Sequence, residues 1–215
     1  MDTLLNNLDI FAAGFGNTLL LFSVSLVFAL IIGLIVGAMR VSPIPVARVF
    51  GAIYVNTVRN TPLTLIMFFF ALGYPKLGLP ELNFTVLAIC ALSVYTATYV
   101  AEVLRSGINT VPIGQAEAAR AIGLNFGQTM TAVILPQAVR SVIPPLMSVL
   151  IALLKNTTVA VGFSVAEAAS VRATLAENGE PVLVVLLWTA IIFVALVAIL
   201  SLIQRWFEFK WKVVR

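Results

Sequence analysis

The chain has 215 residues, of which 61% are hydrophobic and 10% are charged, and its formal net charge is +4. Its mean hydropathy is +1.08, so it has too little polar surface to cover a water-soluble globule of this size. The composition excludes a soluble protein, and because the basic residues collect beside apolar stretches without an aromatic-basic patch, nucleic acid is not an expected partner.

Five stretches are apolar over a length that can cross about 30 Å of hydrocarbon, which takes about 20 helical residues. In chain order they are 10–39, 49–74, 82–101, a stretch within 129–154, and 181–204. They are continuously apolar rather than alternating, which favours helices over β-barrel strands. The sequence therefore predicts an all-α, polytopic membrane protein with five transmembrane helices, forming one transmembrane domain over residues 1–215 with a core of about 12–208.

The distribution of charge predicts the orientation, because Lys and Arg are retained at the cytoplasmic face. One side of the membrane would carry Arg40, Arg48, Arg105, Arg120, Arg205, Lys210, Lys212 and Arg215. The other would carry Lys76, Arg172, Asp2, Asp9, Glu81, Glu167, Glu177 and Glu180. The amino end is thus expected outside and the carboxyl end inside, with Trp206 and Trp211 in the interfacial belt.

The connection between the third and fourth stretches, about 110–128, is predicted to be cytoplasmic and to contain a short helix. Thr110 can cap its start, Pro112 suits its first turn, and Gly123 can adopt the left-handed conformation that ends it. Asn125 is a candidate cap for the next helix. These features are equally compatible with a docking helix and with an amphipathic helix that rests on the membrane.

The spacing within this connection distinguishes the two interpretations. Glu117-Ala118-Ala119, three residues, Gly123, nine residues, and then 133–136 (VILP) resembles the EAA loop of binding-protein-dependent ABC importer permeases. Further matches are 59–63 (RNTPL), 101–108 (AEVLRSGI) and 155–158 (KNTT). Together they resemble the polar amino acid permease subfamily. The sequences of these segments are most similar to those of glutamate permeases of actinobacteria.

This resemblance implies a type I ABC importer permease fold in a bacterial plasma membrane, with two such subunits forming one pathway. It also implies a pair of cytoplasmic ATPase subunits and an extracytoplasmic solute-binding protein, and glutamate systems favour a paralogue as the second permease. The residues expected to couple the permease to the ATPase are Glu117, Ala118, Ala119 and Gly123. The sequence has no phosphate-binding Gly-x-x-x-x-Gly-Lys-Ser/Thr loop, so ATP and Mg are expected in the partner, and the chain itself is expected to bind no cofactor and to be no enzyme.

Charged residues inside apolar stretches are costly and therefore point to function. Two similar segments, 59–62 (RNTP) and 155–158 (KNTT), which we call the first and second phrase, combine a cation with amide and hydroxyl groups. This combination suits a carboxylate ligand. The candidate pathway residues are Arg59, Asn60, Thr61, Glu102, Lys155, Asn156 and Thr157. Pro62 would break the helix at the first phrase. The alternative is a structural ion pair between Arg59 and Glu102.

Several functions remain open from sequence. The predicted cargo is glutamate, and the alternatives within the same class are glutamine and a basic amino acid. An ATP-independent secondary carrier would use the intramembrane charges for ion coupling. A scaffold without transport activity would have no need for costly polar groups inside its spans.

Overall fold

The computed structural model describes residues 2–210, and every regular element in that range is helical. Three residues used above, Trp211, Lys212 and Arg215, lie outside the described residues. The α-helices are α1 (Asp2–Leu5), α2 (Leu8–Val41), α3 (Pro45–Arg59), α4 (Leu63–Phe68), α5 (Phe84–Asn109), α6 (Ile113–Ala121), α7 (Phe126–Gln128), α8 (Leu135–Asn156), α9 (Val171–Glu177) and α10 (Val182–Lys210). The predicted all-α architecture is confirmed for this part of the chain.

Four helical segments are long and apolar enough to cross a membrane: α2, α5, α10 and the continuous helical run Phe126–Phe163 that contains α8. These coincide with four of the five predicted stretches. The run around α8 includes a π-helical segment, Thr129–Ile134, and ends in a 3-10 segment, Thr157–Phe163. Each segment satisfies its backbone hydrogen bonds internally, which hydrocarbon requires.

The stretch predicted as the second span is divided in two. Helix α3 ends at Arg59, and α4 begins only after Pro62, whose backbone is extended with φ −56° and ψ 136°. Proline has no amide hydrogen to donate and disfavours helical geometry in the residue before it, so the helix stops there. The second part, Leu63–Leu77, is a shorter apolar helical run that passes through π and 3-10 turns. A single unbroken helix over 49–74 is therefore not formed.

Helices α2 and α5 run parallel and form the most extensive helix pair of the described fold. Gly33 and Gly37 on α2 allow this approach, because a Cβ atom at Gly33 would lie 2.5 Å from Cβ of Val100, and one at Gly37 would lie 3.0 Å from Cδ1 of Leu104. Helix α8 packs along α5 on another side. Helix α5 is therefore the central element on which the others are arranged.

The two ends of the helix bundle differ in charge. The basic end, defined as the end that carries Arg40, Arg105 and α6, lies opposite the acidic end, which carries α1 and α9. At the acidic end the Asn7 amide donates a hydrogen bond to Glu180 over 3.0 Å. Helix α10 contacts α8 and α9 but leaves most of its side chains exposed. Its outer face is apolar, as expected for a surface in lipid.

Candidate functional site

A pocket of about 390 Å³ opens between α5 and α8. Tyr95 and Tyr99 reach it from α5 because residues four apart share a helix face, and their hydroxyl oxygens lie 2.8 Å apart. Ser148 and Asn156 line it from α8. Most of the remaining lining is aliphatic, so the pocket combines a few polar groups with apolar walls, as small-molecule sites usually do.

The most unusual polar group in this pocket is the hydroxyl of Thr96. The residue is 3% exposed, and its Oγ1 has no hydrogen-bond partner among the described residues. Buried hydroxyl groups are normally paired, because leaving one unpaired costs about 1–3 kcal/mol. The oxygen itself is buried, so this hydroxyl is an unpaired polar group within the wall of the pocket.

Arg59 contacts a residue that lines this pocket, and Asn156 lines the pocket itself. The Arg59 guanidinium carbon is 5.3 Å from the centre of the Tyr99 ring, in the range of a cation–π contact. Tyr99 lines the same pocket as Asn156. Arg59 is thus connected to the pocket through Tyr99, whereas Asn156 lines it directly.

The other members of the two phrases are directed elsewhere. Asn60 and Thr61 donate hydrogen bonds back to the carbonyls of residues 56 and 57, over 2.7 and 2.8 Å. Lys155 is exposed in the last turn of α8, and the buried Thr157 donates to the carbonyl of Leu154 over 2.7 Å. Thr61 also lines a second pocket of about 300 Å³, beside α5.

Glu102 is engaged at the basic end of the bundle. Its Oε2 accepts a hydrogen bond from Arg40 over 2.5 Å, and its Oε1 accepts two from Arg105. The ion pair with Arg59, considered from sequence, is therefore replaced by pairs with Arg40 and Arg105. In the sequence Arg40 indicates only the orientation, and no local signal connects it to a residue 62 positions away.

The helix of the connecting loop is present as α6, with different capping from that predicted. It begins at Ile113 with Pro112 at the cap position, whereas the Thr110 hydroxyl donates to the carbonyl of Gly107 and is hydrogen-bonded to the Ser141 hydroxyl. Thr110 therefore ends α5 instead of starting α6. Proline at the helix start is favourable because the first amides have no partner within the helix.

The end of α6 follows the prediction. Gly123 has φ +88°, its amide bonds to the carbonyl of Arg120, and the amide of Leu124 bonds to the carbonyl of Ala119. These two bonds form a Schellman motif, in which glycine is preferred because other residues are strained at positive φ. Asn125 then caps α7 through reciprocal bonds with Gln128, which confirms its predicted role.

Apolar side chains flank the exposed face of α6. Ile113 and Ile122 are 77% and 79% exposed, and Phe126 is 68% exposed. Glu117 and Ala118 are also exposed, whereas Ala119 faces the bundle. Such exposed large apolar groups on a loop are candidates for contact with a partner.

A second buried polar centre at the acidic end was missed from sequence. Glu167 is fully buried and accepts hydrogen bonds from Thr18 over 3.3 Å and from the amide of Ala169 over 2.9 Å. Burial raises the pKa of Glu167 to about 7, although these hydrogen bonds act in the opposite direction. From sequence it was counted only as one of several acidic residues beside the spans. Tyr95, Thr96, Tyr99 and Ser148 were also missed, and only the four-residue spacing of the tyrosines in an apolar span offered a signal.

Comparison with known proteins identifies the family. The model of the family described as the inner membrane component of binding-protein-dependent transport systems matches residues 13–213. The chain belongs to this permease family. It is accordingly a bacterial membrane permease of amino acid ABC transporters, and the resemblance that the EAA-like loop indicated is confirmed.

Two relatives illustrate the similarity of this permease to amino acid transporters. The glutamate transport system permease protein GluC of Corynebacterium glutamicum is 49% identical over 166 residues, which is 72% of each chain. The probable glutamine ABC transporter permease protein GlnP of Bacillus subtilis is 39% identical over 154 residues, covering 72% of this chain and 70% of that one. Permeases that are named for the transport of different amino acids are thus similar to this chain.

Solved structures agree with this assignment. A chain from an amino acid ABC transporter crystallised with histidines superposes with a TM-score of 0.90 at 25% identity, covering 96% of both chains. A chain of the inward-facing methionine transporter MetNI superposes with a TM-score of 0.78 at 21% identity, covering 95% of this permease and 97% of that chain. The fold of the permease is therefore that of the type I importer permeases.

Proposed function

We propose that this permease forms one transmembrane half of an ATP-driven importer that carries glutamate into the bacterial cell. The observation that carries the choice of glutamate is the 49% identity to a glutamate transport system permease over 72% of each chain. The pocket between α5 and α8 supports it, because the Arg59 cation lies over the ring of Tyr99, which lines the pocket. A cation and nearby amide and hydroxyl groups are complementary to a carboxylate.

The permease crosses the membrane five times in this proposal, and the pair α3–α4 is the second, broken crossing. The basic end of the bundle faces the cytoplasm, which agrees with the retention of Lys and Arg on that side. Broken helices are tolerated inside membranes where the freed backbone lines protein or a cavity. The break at Pro62 satisfies this condition, because Thr61 beside it lines a pocket.

ATP hydrolysis is coupled to transport through α6. Two cytoplasmic ATPase subunits hold ATP and Mg, and the exposed side chains of Ile113 and Ile122 fit an apolar cleft on one of them. Glu117 makes a polar contact with the ATPase subunit, and the small side chain of Ala118 allows α6 to approach that subunit closely. The small side chain of Ala119 allows α6 to pack against the helix bundle. Gly123 fixes the turn that returns the chain to α8, so a force on α6 reaches the bundle.

The pathway lies along the pocket margin, with Arg59 and Asn156 in contact with the amino acid. The helix ends that present these groups are stabilised by hydrogen bonds from Asn60, Thr61 and Thr157. The charge on the two sides of the pathway is contributed by Lys155 and Glu102. The second half of the pathway is a paralogous permease, and an extracytoplasmic solute-binding protein delivers the substrate to the acidic end. Lipid surrounds the remaining apolar surface, including the outer face of α10.

The experiment that tests this function is uptake by the complete transporter in proteoliposomes that contain ATP. We expect labelled glutamate to accumulate, and we expect Arg59→Gln to reduce its uptake while complex assembly is retained. Lys76→Gln, which removes an exposed cation that does not line the pocket, is the matched control. Unchanged glutamate uptake in Arg59→Gln would contradict the assignment of the pocket.

Glutamine is the second candidate cargo, because a probable glutamine permease is 39% identical over 72% of this chain. The neutral lining groups Thr96, Ser148 and Asn156 can bind an amide as well as a carboxylate. Competition of unlabelled glutamine against labelled glutamate distinguishes the two. A glutamate importer is inhibited far more strongly by unlabelled glutamate than by glutamine, whereas a glutamine importer shows the reverse.

A further inference from the structure

Both oxygens of the Glu102 carboxylate are held by arginines from two different helices. Arg40 in the last turn of α2 binds Oε2 over 2.5 Å, and Arg105, one turn further along α5, binds Oε1 through both Nε and Nη2. Pairing from a guanidinium through two nitrogens fixes orientation as well as distance. The three side chains therefore define the relative position of α2 and α5 at the basic end.

A third helix is included in this arrangement. The aliphatic stem of Arg40 passes over Gly51 of α3, and a Cβ atom at Gly51 would lie 2.9 Å from its Cγ. A side chain at this position of α3 would therefore displace the stem of Arg40. The basic ends of α2, α3 and α5 meet at one ion-paired cluster, which we call the Glu102 joint (Arg40, Glu102 and Arg105).

The ion pairs of the Glu102 joint contribute little to the overall stability of the fold, and their main effect is to position the helix ends. Its side chains are 14%, 23% and 35% exposed for Arg40, Glu102 and Arg105, so water partly screens their attraction and the net stabilisation is modest. One carboxylate separates two guanidinium groups. Without its negative charge the two cations would face each other across the contact between α2 and α5, and their repulsion would separate the helix ends.

The joint lies directly beside the segment that leads to α6. Arg105 is four residues before the end of α5 at Asn109, and the hydroxyl groups of Thr110 and Ser141, on α8, are hydrogen-bonded over 3.1 Å. A displacement of α6 reaches the end of α5 through residues 110–112, and there the joint connects it to α2 and α3. Helix α6 also contacts the segment Thr129–Ile134 that leads into α8.

We propose that Glu102 is a positioning residue of ATP-coupled transport, which makes the basic ends of α2, α3 and α5 move as one body with α6. This inference rests on the proposed coupling through α6. It assigns to Glu102 a role in transmitting motion, in addition to the charge that it contributes to the pathway. With the joint intact, one ATPase closure moves the ends of all three helices together, and with the joint broken it moves the end of α5 without those of α2 and α3.

The first test measures the amount of amino acid transported per ATP hydrolysed by the complete transporter in proteoliposomes. We expect Glu102→Gln to lower this ratio about tenfold, a typical size for a coupling between two sites, while ATP hydrolysis continues. Glu177→Gln removes an exposed carboxylate at the acidic end and should leave the ratio unchanged. The triple variant Arg40→Glu, Glu102→Arg and Arg105→Glu inverts every charge of the joint and should recover most of the ratio.

The second test is independent of the transported substrate. Spin labels at Ile44→Cys and Ala121→Cys, in a chain whose single native cysteine is replaced by Cys90→Ser, report the distance between α6 and the junction of α2 and α3. We expect one narrow distance distribution that is the same with and without bound nucleotide. Glu102→Gln should give distributions that differ between the two states.

The outcomes separate this inference from the proposed function. A parent transporter that hydrolyses ATP but does not accumulate glutamate would refute the proposed cargo, and the spin-label distances would still test the joint. A Glu102→Gln transporter with the parental transport ratio and the parental distance distributions would overturn the inference. Failure of the charge-inverted variant to recover, although it assembles with its partners, would also contradict it.

Discussion

Thr18 and Glu167 join α2 to the segment that follows α8, with 3.3 Å between the Thr18 hydroxyl and the Glu167 carboxylate. The same hydroxyl accepts a hydrogen bond from the amide of Ala168 over 3.0 Å. Gly14, one turn earlier on α2, leaves the room for this contact, because a Cβ atom there would lie 2.5 Å from Cγ2 of Val171. The acidic end of the bundle is thus closed around a buried carboxyl group.

The stability of the permease should depend on pH through Glu167. Burial raises the pKa of its carboxyl from 4.5 to about 7 in the folded state. The folded state therefore binds the proton more tightly than the unfolded state, and the associated stabilisation is complete below pH 4.5 and is lost as pH rises through 7. We expect Glu167→Gln, which resembles the protonated form, to flatten the dependence of the melting temperature on pH between 4.5 and 7. Glu177→Gln, at an exposed position, should reproduce the parental profile, and an equally steep profile in Glu167→Gln would contradict this account.

The close approach of α2 and α5 should make Gly33 sensitive to substitution. Gly33→Ala places a methyl group 2.5 Å from Cβ of Val100, so the helices must separate, at a cost of about 1–3 kcal/mol. Gly16→Ala, also on α2, meets nothing within 4 Å. Thermal melts of the two purified variants are expected to differ by several degrees, and equal melting temperatures would mean that the helices separate without cost.

The turn after α6 should require glycine. Gly123 has φ +88°, a conformation that costs other residues about 1 kcal/mol or more. We expect Gly123→Asp to weaken both the association of the ATPase subunits and substrate-stimulated ATP hydrolysis. Gly114→Ala is the control, because it lies within α6 with open space around it. Normal ATPase association and stimulation in Gly123→Asp would argue against coupling through α6.

The orphaned hydroxyl of Thr96 should matter for transport and not for folding. Thr96→Val removes a buried oxygen that has no partner among the described residues, so the fold should be as stable as the parent or more stable. Thr98→Val, in contrast, removes a hydroxyl that donates to the carbonyl of Tyr95 over 2.7 Å. We expect Thr96→Val to reduce amino acid uptake severalfold without lowering the melting temperature. Normal uptake by this variant would show that the hydroxyl does not contact the substrate.

Much of the fold could be predicted from sequence because each feature was local. Continuous apolar stretches predicted the long helices, Gly123 predicted the end of α6, and Asn125 predicted the cap of α7. Pro62 was recognised as a helix breaker, but the extent of the break was not predicted, since it depends on how α4 packs against α5.

The contacts between distant residues could not be predicted in the same way. The pairing of Glu102 with Arg40 instead of Arg59 depends on which helix packs against α5 at the level of Glu102. A single sequence does not contain this information. The burial of Glu167 likewise depends on the fold of the segment after α8 against α2. The pocket around Thr96 combines side chains from two helices and becomes visible only when they are packed.

The most direct test of the central claim is uptake of labelled glutamate by proteoliposomes that contain this permease with or without its ATPase subunits, while the partner permease and the solute-binding protein are kept constant. We predict accumulation only when the ATPase subunits and ATP are both present. Glutamate accumulation by the permease without ATPase subunits, driven by an ion gradient, would contradict the account and favour a secondary carrier.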